Sequence, residues 1–482
     1  MNANLTRISA VMIIAVLAWR APAFGFDLTY PFFDDPLYTK SAVVVPGDKA
    51  PISCAVPKDF SHPLALGEAV DLALCNNPKI KSYWANIKIQ AGAVGEARAA
   101  YLPTVSGSVN RTNDRINYSD SRYPDSDIYR TTFQGGFTWR LLDFGGRAAN
   151  NQAANHLLTA ALASHNAALQ STLSDVIQAY FDAMTAKAAL KAATEGEEIA
   201  KSTLSSAKVR EEKGVVSQSD RLRATTALAK AVLEHNRAHG NYRKALAVLG
   251  QLMGVPGNTV ISIPEEITSG TGEISNDLNH WLEEAQKNHP AIIAAKAQVI
   301  AAQNQVKVAR SAGLPTLNFS ANYYKNTKPG EAVTQTEAQE TTMGIGISIP
   351  FFDGFSNTYK IRGAQAQVEQ KQAALADTEN RIALELIKAY IDATFALQNL
   401  DASANLLKAA QEALTVSQRR YDKGAADITE ILNTQSTLSE GQHERIRCLA
   451  EWHSARLRLL ASAGQMGRSA AIEENSVKFK ER

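Results

Sequence analysis

The sequence predicts a mainly helical, internally duplicated chain that contributes two strand pairs to a β-barrel shared between copies. Three observations predict it. First, the chain matches itself: Asn77-Pro78 with His289-Pro290, Leu102-Pro103 with Leu314-Pro315, Lys213-Gly214 with Lys423-Gly424, and Met253-Gly254 with Ala463-Gly464. A repeat of this length is a duplicated subdomain and not a short solenoid unit. Second, long stretches rich in Ala, Gln, Lys and Glu keep apolar residues at three-and-four spacing, as at Leu173, Val176, Ile177, Tyr180 and Met184. Such spacing makes one seam on an extended helix. Third, each half holds two runs in which apolar residues alternate with Gly, Ser, Thr or Asn, the pattern of a half-buried strand.

Read in order, residues 1–23 form a secretory signal, with Arg7, an apolar run from Ala10 to Trp19, and Ala21-Pro22-Ala23 as the cleavage site. An extension over 24–63 leads to the first repeat, 64–254. A linker over 255–276 precedes the second repeat, 277–464, and a tail over 465–482 closes the chain. Each repeat opens with a helix of about 35 residues, Leu66 to Tyr101 or Asp277 to Leu314, stopped by Leu-Pro. Strand pairs follow, carried by Val105, Val109, Phe133, Phe137 and Trp139 in the first half. Leu317, Phe319, Ala321, Tyr323, Met343, Ile345, Ile347 and Ile349 carry them in the second. Polar loops, Asn110 to Arg130 and Lys325 to Glu340, are expected between the strands. After Asp143 or Asp353 runs a helix of about 65 residues, about 100 Å long. It ends at Lys-Gly, and a helix of about 40 residues returns to Gly254 or Gly464.

Two strand pairs make four strands per chain. In lipid only closed barrels satisfy every backbone group, and bacterial barrels begin at about eight strands. If these strands span a membrane, several chains must share one barrel. Trp139, Phe144, Phe351, Phe352 and Phe355 gather at the strand ends, where they fit either an interfacial girdle or packing at the strand-to-helix junction. No segment has the roughly 20 apolar residues of a membrane-spanning helix.

The other residue types exclude more than they assign. The net charge is +2, and loss of Arg7 and Arg20 with the signal leaves 48 basic and 48 acidic residues, so nothing argues for nucleic-acid binding. Cys54 and Cys75 fit a disulfide in an exported chain, or two separate thiols, and Cys448 falls in a helix. No HExxH, P-loop or G-x-S-x-G pattern occurs. His235 and His239 share a helix face, but two imidazoles rarely make a zinc site. No enzyme activity, cofactor or metal is expected. A soluble periplasmic coiled-coil or adaptor protein would explain the helices and the signal, but not the strands.

The duplicated order, with ALGEAVDLALCNNPKI, AAYLPTVSGSV, LLDFGG, PFFDGF and YDKGAADITEILNTQSTL, resembles the TolC family of outer-membrane export ducts. The resemblance implies a homotrimer: a twelve-stranded barrel in outer-membrane lipid, continued by a periplasmic tunnel of long helices. It implies partners too, a periplasmic adaptor and an inner-membrane ABC or RND pump, serving type I protein secretion or small-molecule efflux. The gate is then expected at the hairpin tips. Glu430 and Asn433 fall at two inward positions that carry acids in the family. Asp220 and Tyr421 match a pair that hydrogen-bonds between neighbouring tips, and Ala426 replaces a locking arginine. Gly214, Val215, Ser217, Gly424, Ala425 and Asp427 are the expected docking surface for adaptor hairpins.

Overall fold

The computed structural model describes residues 62–120, 122, 125–256, 259–264, 277–328, 336–423 and 425–464. The expected signal, most of the extension including Cys54, most of the linker, Gly424 and the tail lie outside the described residues.

The same six elements occur twice. The first half runs α1 (Leu66–Asn76), α2 (Pro78–Ala99), β1 (Thr104–Ile116), β2 (Ser126–Leu142), α3 (Gly146–Glu212) and α4 (Gln218–Leu252). The second runs α5 (Leu278–Asn288), α6 (Pro290–Ser311), β3 (Thr316–Lys328), β4 (Thr336–Ser348), α7 (Ser356–Asp422) and α8 (Ile428–Ser462). The long helices are 67 residues each and the returning ones 35.

Two expectations are corrected. The opening helix is not continuous: Asn77 and His289 leave the helical region, with ψ of 123° at both. The reason is the following proline, which bars the helical conformation from the residue before it. Each break is capped anew, Asn77 Oδ1 accepting from Lys79 N at 2.9 Å and His289 Nδ1 from Ala291 N at 3.2 Å. The strands also run further into the expected loops, so that the first connection spans only 117–125.

The four strands form one antiparallel sheet in the order β1-β2-β3-β4. Val105 pairs with Phe137, Phe137 with Ala321, and Ala321 with Met343; Trp139, Phe319 and Ile345 form a second row. Because the side-chain period is two, this register gathers the apolar residues of all four strands on one face. Ser106, Gly136, Asn322 and Thr342 form a row of the other face. Val105, Met343, Ile345 and Ile347 are 67–79% exposed, so among the described residues nothing covers this part of the apolar face.

Sheet and helices are joined by turns with no slack. Phe144 and Gly145, then Gly354 and Phe355, have positive φ, and the preceding aspartates cap the helices: Asp143 Oδ2 accepts from Arg147 N at 2.9 Å and Asp353 Oδ2 from Asn357 N at 2.7 Å. In the first half Arg147 adds bonds to Asp143 Oδ2 and to the Arg140 and Leu141 carbonyls, pinning the strand end to the helix start.

The core sits at mid-height. Leu169, Leu173, Val176, Ile177 and Tyr180 of α3 pack on α1 and the end of α4, and Tyr180 Oη donates to Leu64 O at 2.9 Å. The second half repeats this with Trp281, Leu386 and Trp452. Cys75 is disulfide-bonded, whereas Cys448 is a free, buried thiol.

At the same level the returning helices stack end to end on the helices that follow the prolines. Asn77 Nδ2 donates to Leu252 O at 3.0 Å, and Gly254, at φ +68°, faces the Asn76 backbone so closely that a Cβ would come within 2.8 Å of its carbonyl oxygen. Gly254→Ala should combine left-handed strain with this clash and cost about 2–4 kcal/mol. Gly214, with φ +72° but open space around it, should lose only about 1–2 kcal/mol as alanine. Unfolding of the two variants in detergent compares them.

His289 supplies a pH test at the same joint. Burial, with Arg381 nearby, lowers its pKa to about 4, so the folded state holds it neutral where the unfolded chain, at an ordinary value near 6.5, takes up a proton. Its contribution is therefore complete above about pH 6.5 and is lost as pH falls to about 4, by about 3 kcal/mol. His289→Asn, the residue at the equivalent cap in the first half, should remove that share of the acid destabilisation. Unfolding midpoints of both forms between pH 7 and 4 measure the difference.

Candidate gate at the helical tips

Each hairpin turns within five residues. Gly214 N and Val215 N donate to Glu211 O and Arg210 O, both at 2.8 Å, and Ala425 N to Arg420 O at 2.8 Å, so the last carbonyls of the long helices are satisfied. Ser217 caps α4, accepting from Asp220 N at 3.2 Å, while Asp220 Oδ2 accepts from Ser217 N at 3.1 Å and Ser217 Oγ at 2.9 Å. This is a reciprocal capping box. Asp427 caps α8 through Glu430 N at 2.9 Å. Ser217, Ala425 and Asp427 are exposed, and Val215 is an apolar residue exposed at the first tip.

The two tips carry ion pairs of opposite polarity. In the first, Glu211 at the end of α3 meets Arg221 of α4 at 2.7 Å. In the second, Arg420 of α7 meets Glu430 of α8 at 2.8 Å, and Ser417 Oγ also donates to Glu430, at 3.2 Å. Glu430 is thus not a bare acid in this chain. Asn433, one turn further along α8, is exposed and uncharged.

Repeat equivalence explains the reversal. The counterparts of Arg420 and Glu430 are Arg210 and Asp220, and both are committed elsewhere. Asp220 closes the capping box. Arg210 crosses to the other hairpin, its Cζ 4.1 Å above the Tyr421 ring and Nη1 donating to Tyr421 O at 3.0 Å. Tyr421 is 3% exposed, packed with Leu204, Ala207, Ala224, Ile428 and Ile431, with Ala426 at the margin. Its hydroxyl has no partner among the described residues. Arg223 Nη1 to Thr429 Oγ1 at 2.9 Å and Gln435 Nε2 to Thr203 Oγ1 at 3.0 Å complete the contact between hairpins.

The sequence offered Ser217 and Asp427 only as docking residues, not as helix caps. It pointed to Asp220, Tyr421 and Glu430 but passed over Arg210 and Arg420. The signal was present, since both repeats place arginine at that position. Asp220 and Tyr421 do not meet within one chain. His235 binds Glu197 at 2.7 Å, and among the described residues no three His, Cys, Asp or Glu side chains form a metal-binding group. No described helix is long and apolar enough to cross a membrane.

A duplicated helical body with an apolar-faced sheet and abutting tips can now be compared with known proteins. The model of the outer membrane efflux protein family matches residues 69–255 and 281–465. The chain belongs to that family. It is similar to the protein CyaE of Bordetella pertussis, 35% identical over 417 residues that cover 86% of this chain and 87% of the relative. The outer membrane efflux protein BepC of Brucella suis is 25% identical over 411 residues, covering 83% of this chain and 86% of the relative. Among solved structures, the CmeC outer membrane channel of Campylobacter jejuni has the same fold, with a TM-score of 0.75 at 17% identity over 90% of this chain and 98% of that one. As an efflux-family protein the chain is an outer-membrane channel component with its helical part in the periplasm, not an enzyme.

The contacts of Arg210, Arg223 and Gln435 resist separation of the two hairpins. A cation–π contact and a bond to a carbonyl contribute about 1–2 kcal/mol together, so Arg210→Ala should raise open probability roughly tenfold in planar bilayers. Tyr421→Phe should leave it unchanged if the hydroxyl has no partner in the assembled channel. Opening by Tyr421→Phe as large as by Tyr421→Ala would instead reveal a bond supplied by a neighbouring tip.

Proposed function

We propose that three copies of the chain form one passive export duct: a twelve-stranded barrel in the outer membrane continued by a helical tunnel through the periplasm. The observation that carries this reading is the sheet. Its apolar face is uncovered, and its rim strands β1 and β4, 13 residues each, are longer than the roughly 9–11 residues that span a bilayer. Their outer edges need strands from other copies, because unpaired backbone groups in lipid cost several kcal/mol each.

The tips form the gate, with Asp220, Tyr421, Glu430 and Asn433 at the constriction. Glu430 is partly neutralised by Arg420 and Asn433 carries no charge, so the entrance presents less negative charge to cations than two acidic rings would. Gly214, Val215, Ser217, Gly424, Ala425 and Asp427 receive the hairpins of a periplasmic adaptor, which couples the duct to an inner-membrane ABC or RND pump. Arg210 and Arg223 must release the opposing hairpin as the tips part. Cys54 is the partner of Cys75.

Native mass spectrometry of the detergent-extracted protein tests the assembly. The expected particle has three times the mass of the mature chain, itself below the 52.1 kDa of the full sequence by the mass of the signal. A monomer recovered without detergent from the periplasmic fraction would overturn the duct and restore the soluble coiled-coil alternative.

A further inference from the structure

At mid-height, α2, α3, α6 and α7 lie side by side, each packed on the next, and together with the end of α8 they line a concavity of about 740 Å³. On α3 its lining includes Ser164, Ala168, Ser171 and Asp175, spaced four, three and four apart. These lie on the other side of the helix from Leu169, Leu173 and Tyr180, which pack on α1. The concavity thus lies on the face of this layer opposite the one that α1 covers. Closing such layers into the tube proposed above puts the concavity on the inner wall.

The charges there are unequal. Lys79, Lys371, Arg381, Lys388 and Arg458 face three carboxylates, Asp175, Glu385 and Asp392, an excess of two positive charges per chain in a protein whose mature net charge is near zero. The carboxylates do not cancel the cations. Arg381 holds Glu385 at 3.2 Å, but Arg458 reaches Asp392 only at 3.9 Å, and its Nε is buried without a hydrogen-bond partner among the described residues. Lys79 and Lys371 are braced by neutral groups, Ser171 Oγ at 3.3 Å and Gln298 Oε1 at 3.1 Å, and Lys388 is exposed. Arg381 also depresses the pKa of His289, on the wall of the same concavity.

We propose that this concavity is an anion station on the duct wall, one per chain, that takes multivalent oxyanions, carboxylate or phosphate, on material in transit. The inference rests on the duct reading. A concave, low-dielectric wall of one sign focuses the field and raises the local concentration of the opposite ion, and rings of Lys and Arg are how pores favour anions. The braces matter to the design, because ammonium groups held by Ser and Gln keep their full charge for a passing ligand.

Single-channel recording in planar bilayers tests it, with citrate and inorganic tripolyphosphate added in separate arms from either side. Both should produce a reversible flickering block that weakens as salt rises. Lys79→Gln with Lys388→Gln should weaken the block at least about fivefold without changing the unblocked conductance by a similar factor, and Asp175→Asn should strengthen it. Block by tripolyphosphate alone would confine the station to phosphate and overturn the carboxylate half of the proposal. Channels of normal conductance in which neither substitution alters block would overturn the station and leave the duct standing. Failure of every form to make channels would overturn the duct itself, and the station with it.

Discussion

The backbone of the two rim strands governs everything else in this molecule. Inside one chain β2 and β3 satisfy both of their edges, while β1 and β4 satisfy one each. A hydrophobic face can be covered in many ways, by lipid, detergent or another protein, but a row of N–H and C=O groups in a bilayer is satisfied only by another strand. The sheet order places the first strand of one half at one rim and the last strand of the other half at the opposite rim. Closure as proposed would repeat between chains the same half-to-half joint that β2 and β3 make within a chain. The helices below inherit that arrangement through the turns at Phe144-Gly145 and Gly354-Phe355, which leave the long helices no freedom to choose another order.

Duplication also shows how two copies of one design diverge. At the top, Arg147 ties the first junction to the strand carbonyls, and Asn357 stands at the equivalent place in the second. At the bottom, the residues that pair across the second turn, Arg420 and Glu430, have equivalents that are used otherwise in the first. The position of Glu211 in the first tip is occupied by Tyr421 in the second, so a charged surface residue in one half is a buried aromatic in the other. A single change of side-chain type thus supplies the buried aromatic contact between the two hairpins.

Much of the fold was legible. The alternation through Met343, Ile345 and Ile347 and the spacing through Leu173, Val176 and Tyr180 are direct readings of strand and helix periods, which packing did not override. The helix break was written in Asn77-Pro78 and His289-Pro290, yet these read more readily as repeat landmarks than as stops, because apolar spacing continues on both sides. The strand ends ran past expectation because Asn113, Asp114 and Asp127 are poor strand formers, and cross-strand pairing such as Arg115 with Asp127 at 2.9 Å carries them. At the tips, sequence could mark the glycines that end the long helices and the acids of the next first turn. It could not show that Arg210 leaves its own hairpin for Tyr421, which depends on how two hairpins 210 residues apart in the chain abut. The wall charges were equally hidden, since Lys79, Arg381 and Arg458 come together only through three different helices.

The end-to-end stacking at Gly254 and Gly464 has a mechanical side. On the paths that contain them, the rods of the body are two pieces abutted at mid-height, whereas α3 and α7 pass that level as unbroken helices of 67 residues. Swinging a returning helix about its upper end breaks no intrahelical hydrogen bond, although the helix must slide against the long helix beside it. The body is therefore jointed on alternate members, like a stand whose fixed poles alternate with hinged legs.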